Sequence, residues 1–261
     1  NMNKTDFYKI IYDYCERVGY ITELENRLAG SSLDIIQSEN IEKDGLHTLD
    51  AVHCLLDKNR TLAFMGEIDT YAHQGLTLLE VGLGTGILAF YAAIKGARVI
   101  GVEINDETFK LSREILLYLS KSGLLDLDKV SLVKSDIFNF NPKDIFDIVV
   151  CENIYTGLFR EKQIQIINHI KKFQSNDCIL IPSGVTSFVS LVEVDFKDSP
   201  LVGSEVVPFA DNKLELKYSP ITNVIQYDSV NFNLIDRLLV DKSVTLIRAR
   251  QGGNALAIYS N

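Results

Sequence analysis

Apolar and polar positions along the 261-residue chain follow first one period and then another, and this succession predicts the order of its elements. Near the N-terminus, apolar residues recur at i, i+3 and i+7, as Phe7, Ile10 and Tyr14 do. This spacing places them on one face of a helix, so residues 6–28 and 45–72 are predicted to be helical. We expect the aromatic residues of the first stretch to lie in the core.

The middle of the chain alternates short apolar runs with longer amphipathic stretches. Repeated β–α units of this kind favour a parallel sheet covered by helices on both faces. The predicted strands are residues 76–81, 98–103, 130–134, 146–151 and 178–182. The predicted helices between them are residues 86–95, 106–119 and 160–173.

After Pro182 the pattern changes to short β-branched or aromatic runs separated by Pro, Gly, Asn and Asp. Such runs are typical of β-strands. The predicted strands are residues 185–194, 205–208, 213–217, 221–227, 243–249 and 255–259. Because no flexible spacer precedes them, this β-rich part is expected to pack on the parallel sheet.

A glycine-rich turn joins the first predicted strand to the helix after it. The sequence from position 78 is LLEVGLGTGIL, with glycines at Gly82, Gly84 and Gly86 and an acid at Glu80. Glycines tolerate positive φ and let the backbone approach a ligand closely, while the start of a helix offers free N–H groups. Since a strand precedes the turn and a helix follows it, the turn is predicted to hold a cofactor.

Acidic residues follow the next two predicted strands. Glu103 lies 21 positions after Gly82, where an acid in this geometry holds the hydroxyl groups of a ribose. Asp136, followed by the apolar Ile137, suits the amine and the ring face of an adenine. Either acid could instead cap a helix, and for Asp136 this alternative is nearly as well supported.

The G-x-G-x-G spacing, with an acid before it, separates two cofactor classes that share this geometry. It resembles motif I of the class I S-adenosylmethionine (SAM) methyltransferases, in which the methionine carboxylate and amine occupy the turn. A nicotinamide cofactor is the alternative, disfavoured because no G-x-x-G/A continuation places a pyrophosphate on the helix. The resemblance implies SAM as the cofactor, bound by Glu80, Gly82, Gly84, Gly86, Glu103, Asp136 and Ile137.

Two glutamates lie nine positions apart after the fourth predicted strand. Glu152 is at the carboxyl end of that strand, where open α/β sheets bind their ligands, and Glu161 begins the next helix. Two carboxylates that face one cleft suit a cationic group such as a guanidinium or an ammonium. Taken singly, Glu152 could be a strand-end acid and Glu161 a first-turn acid stabilised by the helix dipole.

This pair resembles the double-E loop of the protein arginine methyltransferases, which implies that Glu152 and Glu161 are catalytic. The sequence LLDKNRTLAF from position 55 resembles that family's Asp-x-x-Arg-Thr segment, so Arg60 is implied to bind the carboxylate of SAM. The sequence DCILIPS from position 177 resembles the segment at which the family passes from its Rossmann sheet to a β-barrel. The resemblance covers residues 50–190.

The chain also departs from that family. The residues after Glu152 are closer to the E-x-x-x-T-G-L loop of uncharacterised prokaryotic methylases than to Trp-Met-Gly-Tyr. The chain has no Trp, and no His after His169, so it lacks the Thr-His-Trp loop of the arginine enzymes. This difference favours an acceptor other than a histone-like tail.

The predicted fold is α/β, with a Rossmann-like SAM methyltransferase sheet, an N-terminal helical cap and a C-terminal β-rich, barrel-like part. The predicted domains are a cap at residues 1–72, a SAM-binding domain at residues 73–183 and a substrate domain at residues 184–261. With 46% hydrophobic and 23% charged residues, the composition is that of a folded globular protein.

Charge and local composition restrict the partners and the location. A formal net charge of −9 disfavours nucleic acid as a partner. The most apolar stretch, residues 76–94, contains Glu80 and three glycines, so no membrane span is predicted. The first residues lack a signal-peptide pattern, which favours a cytoplasmic protein. The four cysteines show no C-x-x-C spacing, and no metal is expected.

The leading hypothesis is a SAM-dependent methyltransferase that N-methylates a guanidino or amino group held by two glutamates. The acceptor would be a small molecule or a protein side chain. The alternatives are an O- or C-methyltransferase of a small natural product, an RNA methylase and a SAM-binding subunit without turnover. The oligomeric state stays open, with a homodimer among the options.

Overall fold

Four helices precede the central sheet. In the computed structural model, which describes residues 2–30, 45–154, 162–194, 218–234, 243–247, 249, 251–253 and 255–260, they are α1 (Lys4–Arg17), α2 (Tyr20–Gly30), α3 (Thr48–Leu56) and α4 (Lys58–Tyr71). Each predicted helical stretch is divided in two, because Gly19 adopts a φ of +92° and Asp57 caps α4 by accepting the Arg60 N–H. Phe7 lies in the core as expected, its ring 5.5 Å from that of Tyr91.

The predicted parallel sheet is confirmed. Its strands are β1 (Thr77–Val81), β2 (Arg98–Glu103), β3 (Val130–Lys134), β4 (Phe146–Cys151) and β5 (Gln174–Ile181). They pair in the order β3-β2-β1-β4-β5, and every pair is parallel. The chain runs outward from β1 to β3 and then crosses to the other side, so a topological switch point lies between the carboxyl ends of β1 and β4.

Helices cover both faces of this sheet, and the alternation of side chains along each strand explains why. The helices are α5 (Ile87–Lys95), α6 (Asp106–Lys121) and α7 (Gln163–Ile170). Leu78 and Ile148 pack in one apolar cluster with residues of α1, α5 and α6. Their neighbours Leu79 and Val149 pack on the opposite face, in a cluster with residues of α7. All four side chains are fully buried, and each contributes about 1.5–3 kcal/mol through the apolar surface that it removes from water.

The C-terminal part forms an antiparallel sheet. Its strands are β6 (Gly184–Val194), β7 (Tyr218–Pro220), β8 (Ile225–Asn231) and β9 (Ala255–Ser260). Each of the other three pairs with β6, so the described strands form an open sheet around β6 and not a closed barrel. Val185, Val230 and Phe232 pack on the α7 face of the parallel sheet, which agrees with the expected packing of this part.

The predicted strand at residues 243–249 is wrong for the part that is described, since residues 243–247 form no ladder. Val244 and Ile247 are 39% and 75% exposed, so this apolar run has no face on which to pack. The predicted strands at residues 205–208 and 213–217 lie outside the described residues. Within the described ranges, no helix has the length and apolar character needed to cross a membrane.

Candidate active site

The predicted glycine turn follows β1 directly. Gly82, Gly84 and Gly86 have φ angles of +77°, +55° and +76°, in the left-handed region where side chains are strained. A Cβ on Gly82 would lie 2.6 Å from Oδ1 of Asn153, and one on Gly86 would lie 2.4 Å from the Phe90 ring. Backbone conformation and space therefore both require glycine at these two positions.

Glu103 ends β2 with its carboxylate beside the turn. Its side chain accepts the Gly84 N–H at 3.1 Å through Oε2 and the Asn105 N–H at 2.8 Å through Oε1. Burial raises the pKa of Glu103, and these backbone N–H groups act against that shift. Each carboxylate oxygen has a second lone pair, so Glu103 can also accept hydrogen bonds from a ligand above the turn.

Glu80 lies one layer deeper, between β1 and the start of α5. It is 4% exposed, and its Oε2 accepts the Ala89 N–H at 2.7 Å. Burial raises the pKa of Glu80 to about 8, and the nearby Glu103 carboxylate adds to this shift. The side chain is therefore largely neutral near pH 7, where it can donate as well as accept a hydrogen bond.

The Glu80→Gln substitution is expected to stabilise the protein at high pH. With a pKa raised above the unfolded value near 4.5, Glu80 contributes stability that is complete below pH 4.5 and is lost as the pH rises to about 8. Gln keeps the acceptor for Ala89 and does not ionise. Thermal unfolding without SAM should therefore show the Tm advantage of the variant growing by roughly 10 °C from pH 5 to pH 8, as about 3–4 kcal/mol would produce. Glu107→Gln, at an exposed site, is the control, and a constant advantage would contradict the assignment.

Arg60 and Glu152 contact each other across the switch point, although they are 92 positions apart in the chain. The guanidinium of Arg60 is hydrogen-bonded and ion-paired to Oε2 of Glu152, with side chains 30% and 20% exposed. Arg60 lies in the first turn of α4, which Asp57 holds by capping. A guanidinium has five donors, so Arg60 can keep this pair and still bind a second carboxylate.

The segment after β3 carries the two residues predicted to hold an adenine. Oδ1 of Asp136 accepts the Phe138 N–H at 2.9 Å, so the capping interpretation of Asp136 is correct for this oxygen. Ile137 is 6% exposed. The ring of His169 meets that of Phe138 edge-on at a centroid distance of 5.2 Å and supports this turn from beneath.

One cleft of about 190 Å³ at the carboxyl ends of the strands brings most of the predicted residues together. It is lined by Arg60, Glu80, Gly82, Gly84, Glu103, Asp136, Ile137 and Glu152. Gly86 lies behind the turn against Phe90, where its N–H donates to the Leu83 carbonyl at 2.7 Å. Glu161 lies outside the described residues, so its position relative to Glu152 stays a prediction.

The cleft is also lined by residues that the sequence did not indicate. Leu46 and Ala51 reach it from the segment before α3 and from α3 itself, and Asn153 reaches it from the end of β4. Asn153 follows Glu152 directly. Its position after a predicted parallel strand is the feature of the sequence that could have placed it in the cleft. For Leu46 and Ala51 the sequence carries no signal, because only the fold brings them to the glycine turn.

The residues of this cleft fit SAM. The open glycine turn leaves room for the methionine portion, since the nearest atom to a Cβ on Gly84 would be the Ala51 Cβ at 3.6 Å. The Arg60 guanidinium is a cation, which suits the methionine carboxylate of SAM, and the Glu103 carboxylate is an acceptor, which suits a ribose diol. Asp136 and Ile137 offer a polar edge and an apolar face for the adenine.

Comparison with known proteins supports a methyltransferase. A family model described as a methyltransferase domain matches residues 72–198. The ribosomal protein L11 methyltransferase of Aquifex aeolicus is 35% identical over 106 residues, which are 39% of this chain and 38% of that protein. Residues 72–198 of this chain therefore form a methyltransferase domain, of the class that uses SAM.

Two further similarities extend beyond this domain. An uncharacterised protein of Methanocaldococcus jannaschii is 25% identical to this chain over 194 residues, 74% of this chain and 68% of that protein. The solved PRMT1 enzyme–prozyme heterotetrameric complex of Trypanosoma brucei with AdoHcy superposes with a TM-score of 0.55 at 20% identity, covering 71% of this chain and 63% of that one. At that identity the second similarity establishes the fold alone.

Proposed function

We propose that the protein transfers the methyl group of SAM to the nitrogen of a guanidino or amino group. The observation that carries this proposal is the position of the Glu152 carboxylate, which lies at the end of β4 within the SAM cleft. Its side chain is 20% exposed, so it is accessible to an acceptor and partly shielded from water. Such a carboxylate favours an acceptor that carries N–H groups and positive charge.

When bound, SAM supplies the methyl group and leaves as its demethylated product. The acceptor nitrogen attacks in its neutral form, and Glu152 accepts one of its N–H groups and thereby aims the nitrogen lone pair at the methyl carbon. The largest catalytic contribution of this chain is that alignment, since a well-oriented pair reacts as if at very high concentration. The proton that nitrogen loses on methylation passes to the Glu152 carboxylate or to water beside it.

Arg60 serves both partners in this proposal. One edge of its guanidinium holds Glu152, and its remaining donors are free to take the methionine carboxylate. The cofactor and the acceptor-binding acid are then linked through one rigid, planar group. This arrangement keeps the carboxylate in place on the acceptor side of the cleft.

Two observations support a protein side chain as the acceptor rather than a small metabolite. A relative of this chain bears the name ribosomal protein L11 methyltransferase, so a similar domain is named for a protein substrate. The net charge of −9 also favours association with a basic protein. A small amine remains the second candidate.

The test is transfer of tritium from methyl-labelled SAM to a set of acceptors of different chemistry. The set consists of a lysine-rich peptide, an arginine-rich peptide, the corresponding free amino acids, a catechol and an RNA transcript. We expect labelling of at least one peptide, and mass spectrometry should place the methyl group on a nitrogen.

Each alternative function predicts a different result of this assay. Labelling of the catechol would indicate an O-methyltransferase, and labelling of the transcript would indicate an RNA methylase. Labelling of the free amino acids alone would move the acceptor from proteins to small amines. Tight SAM binding with no labelled acceptor would contradict the proposed transfer and favour a SAM-binding subunit.

A further inference from the structure

Gln163, the first residue of α7, is a fully buried polar side chain. Its Nε2 donates to the Cys151 carbonyl at 2.7 Å, and its Oε1 accepts the Asn153 N–H at 3.0 Å. Oε1 also accepts from the Cys151 thiol at 3.4 Å. One amide therefore binds the backbone on both sides of Glu152.

Asn153 continues this connection to the cofactor turn. Its Nδ2 donates to the Val81 carbonyl at 2.9 Å, at the end of β1. Its Oδ1 lies against Gly82, whose missing side chain leaves the room. The hydrogen bonds thus run from α7 through the end of β4 to the glycine turn.

These side-chain hydrogen bonds begin where the hydrogen bonds of the parallel sheet end. The ladder between β1 and β4 ends at the pair Val81 and Cys151, and that between β4 and β5 ends at Val150 and Ile181, so no strand among the described residues pairs with the backbone at Glu152. Buried N–H and C=O groups need partners, and the planar amide of Gln163 supplies two of them. A methionine or leucine at position 163 could fill the same space but could not bind this backbone.

We propose that Gln163 is a positioning residue, which fixes the backbone on both sides of Glu152 so that its carboxylate stays aligned with the methyl donor. The inference rests on the proposed role of Glu152 in methyl transfer. Gln163 acts through the backbone and does not contact the cleft, so its effect should fall on the rate of transfer and not on SAM affinity.

The test compares two variants of Gln163 by kcat with the lysine-rich and arginine-rich peptides, and by SAM affinity. Gln163→Met keeps the volume and removes all three hydrogen bonds; we expect kcat to fall about 10–100-fold, while the Kd for SAM changes less than about threefold. Gln163→Glu should stay protonated in this buried site, donating to the Cys151 carbonyl and accepting from Asn153. It should therefore be close to the wild type at pH 6 and lose activity as the pH rises, a loss that Gln163→Met does not show.

Ile167→Val, one turn along α7 and 1% exposed, is the matched control for stability. It removes a buried methylene from the same helix and should leave kcat unchanged. A fall in kcat for Ile167→Val equal to that of Gln163→Met would overturn the proposal, because destabilisation of α7 would then explain both. Unchanged kcat in Gln163→Met, or a loss confined to SAM affinity, would overturn it as well.

Glu152→Gln in the same assay separates this proposal from the function on which it rests. If Glu152→Gln loses activity and Gln163→Met keeps it, only the positioning role fails. If Glu152→Gln keeps wild-type activity, or if the wild type labels neither the peptides nor the free amino acids, the proposed function fails and the role of Gln163 fails with it.

Discussion

Glu103→Ala is expected to weaken SAM binding about 100-fold. A hydrogen bond to a charged group is worth about 1.5–3 kcal/mol, and Glu103 is the residue predicted to accept both hydroxyl groups of the ribose. The substitution also removes the acceptors of the Gly84 and Asn105 N–H groups, which loosens the turn that holds the methionine portion. Calorimetric titration with SAM measures the change directly.

The control for this experiment is Glu107→Ala. Glu107 is exposed, lies in the first turn of α6 and is paired with Lys110, so its loss should leave the Kd for SAM unchanged. Titration with NAD tests the other cofactor that a glycine turn of this kind can bind. SAM binding that survives Glu103→Ala within threefold would contradict the assignment of Glu103 to the ribose.

The parallel sheet could be predicted from the sequence because its strands carry clear signals at both ends. β2, β3 and β4 begin and end where the sequence predicts. β5 begins four residues earlier than expected, at Gln174, where polar residues precede the apolar run. β5 is at the edge of the sheet, and an edge strand can expose polar side chains on a face that a central strand buries. Its polar start therefore looked like a loop.

The cleft could be predicted residue by residue but not as a set of contacts. Arg60 and Glu152 were assigned to the cofactor and to the acceptor separately, and the ion pair between them depends on how α4 packs over the switch point. Gln163 carries no signal at all, because its neighbours give only the apolar spacing of a helix. Its importance arises from the place at which the ladder between β1 and β4 ends.

Glu152→Gln is expected to reduce kcat by about 10²–10³-fold, within the range of one general acid–base group. Gln has the same size and keeps an oxygen for Arg60, so the Kd for SAM should stay within about threefold. Gln offers no charged oxygen to the N–H of the substrate, and it cannot take up the proton that the substrate nitrogen loses. Single-turnover transfer of tritium from SAM to the lysine-rich and arginine-rich peptides isolates this step from product release.

Asp147→Asn is the matched control for Glu152→Gln, because Asp147 lies in β4 and Glu152 directly follows that strand. Asp147 lies near the opposite end of β4, where it accepts the Thr77 N–H at 2.9 Å, and an amide oxygen can replace that bond. Activity should therefore survive in Asp147→Asn and be lost in Glu152→Gln. Equal losses in both variants would mean that β4 tolerates no change of charge, and full activity in Glu152→Gln would remove the carboxylate from the mechanism. The proposed nitrogen acceptor depends on that carboxylate, so this pair of variants tests the chemistry at its centre.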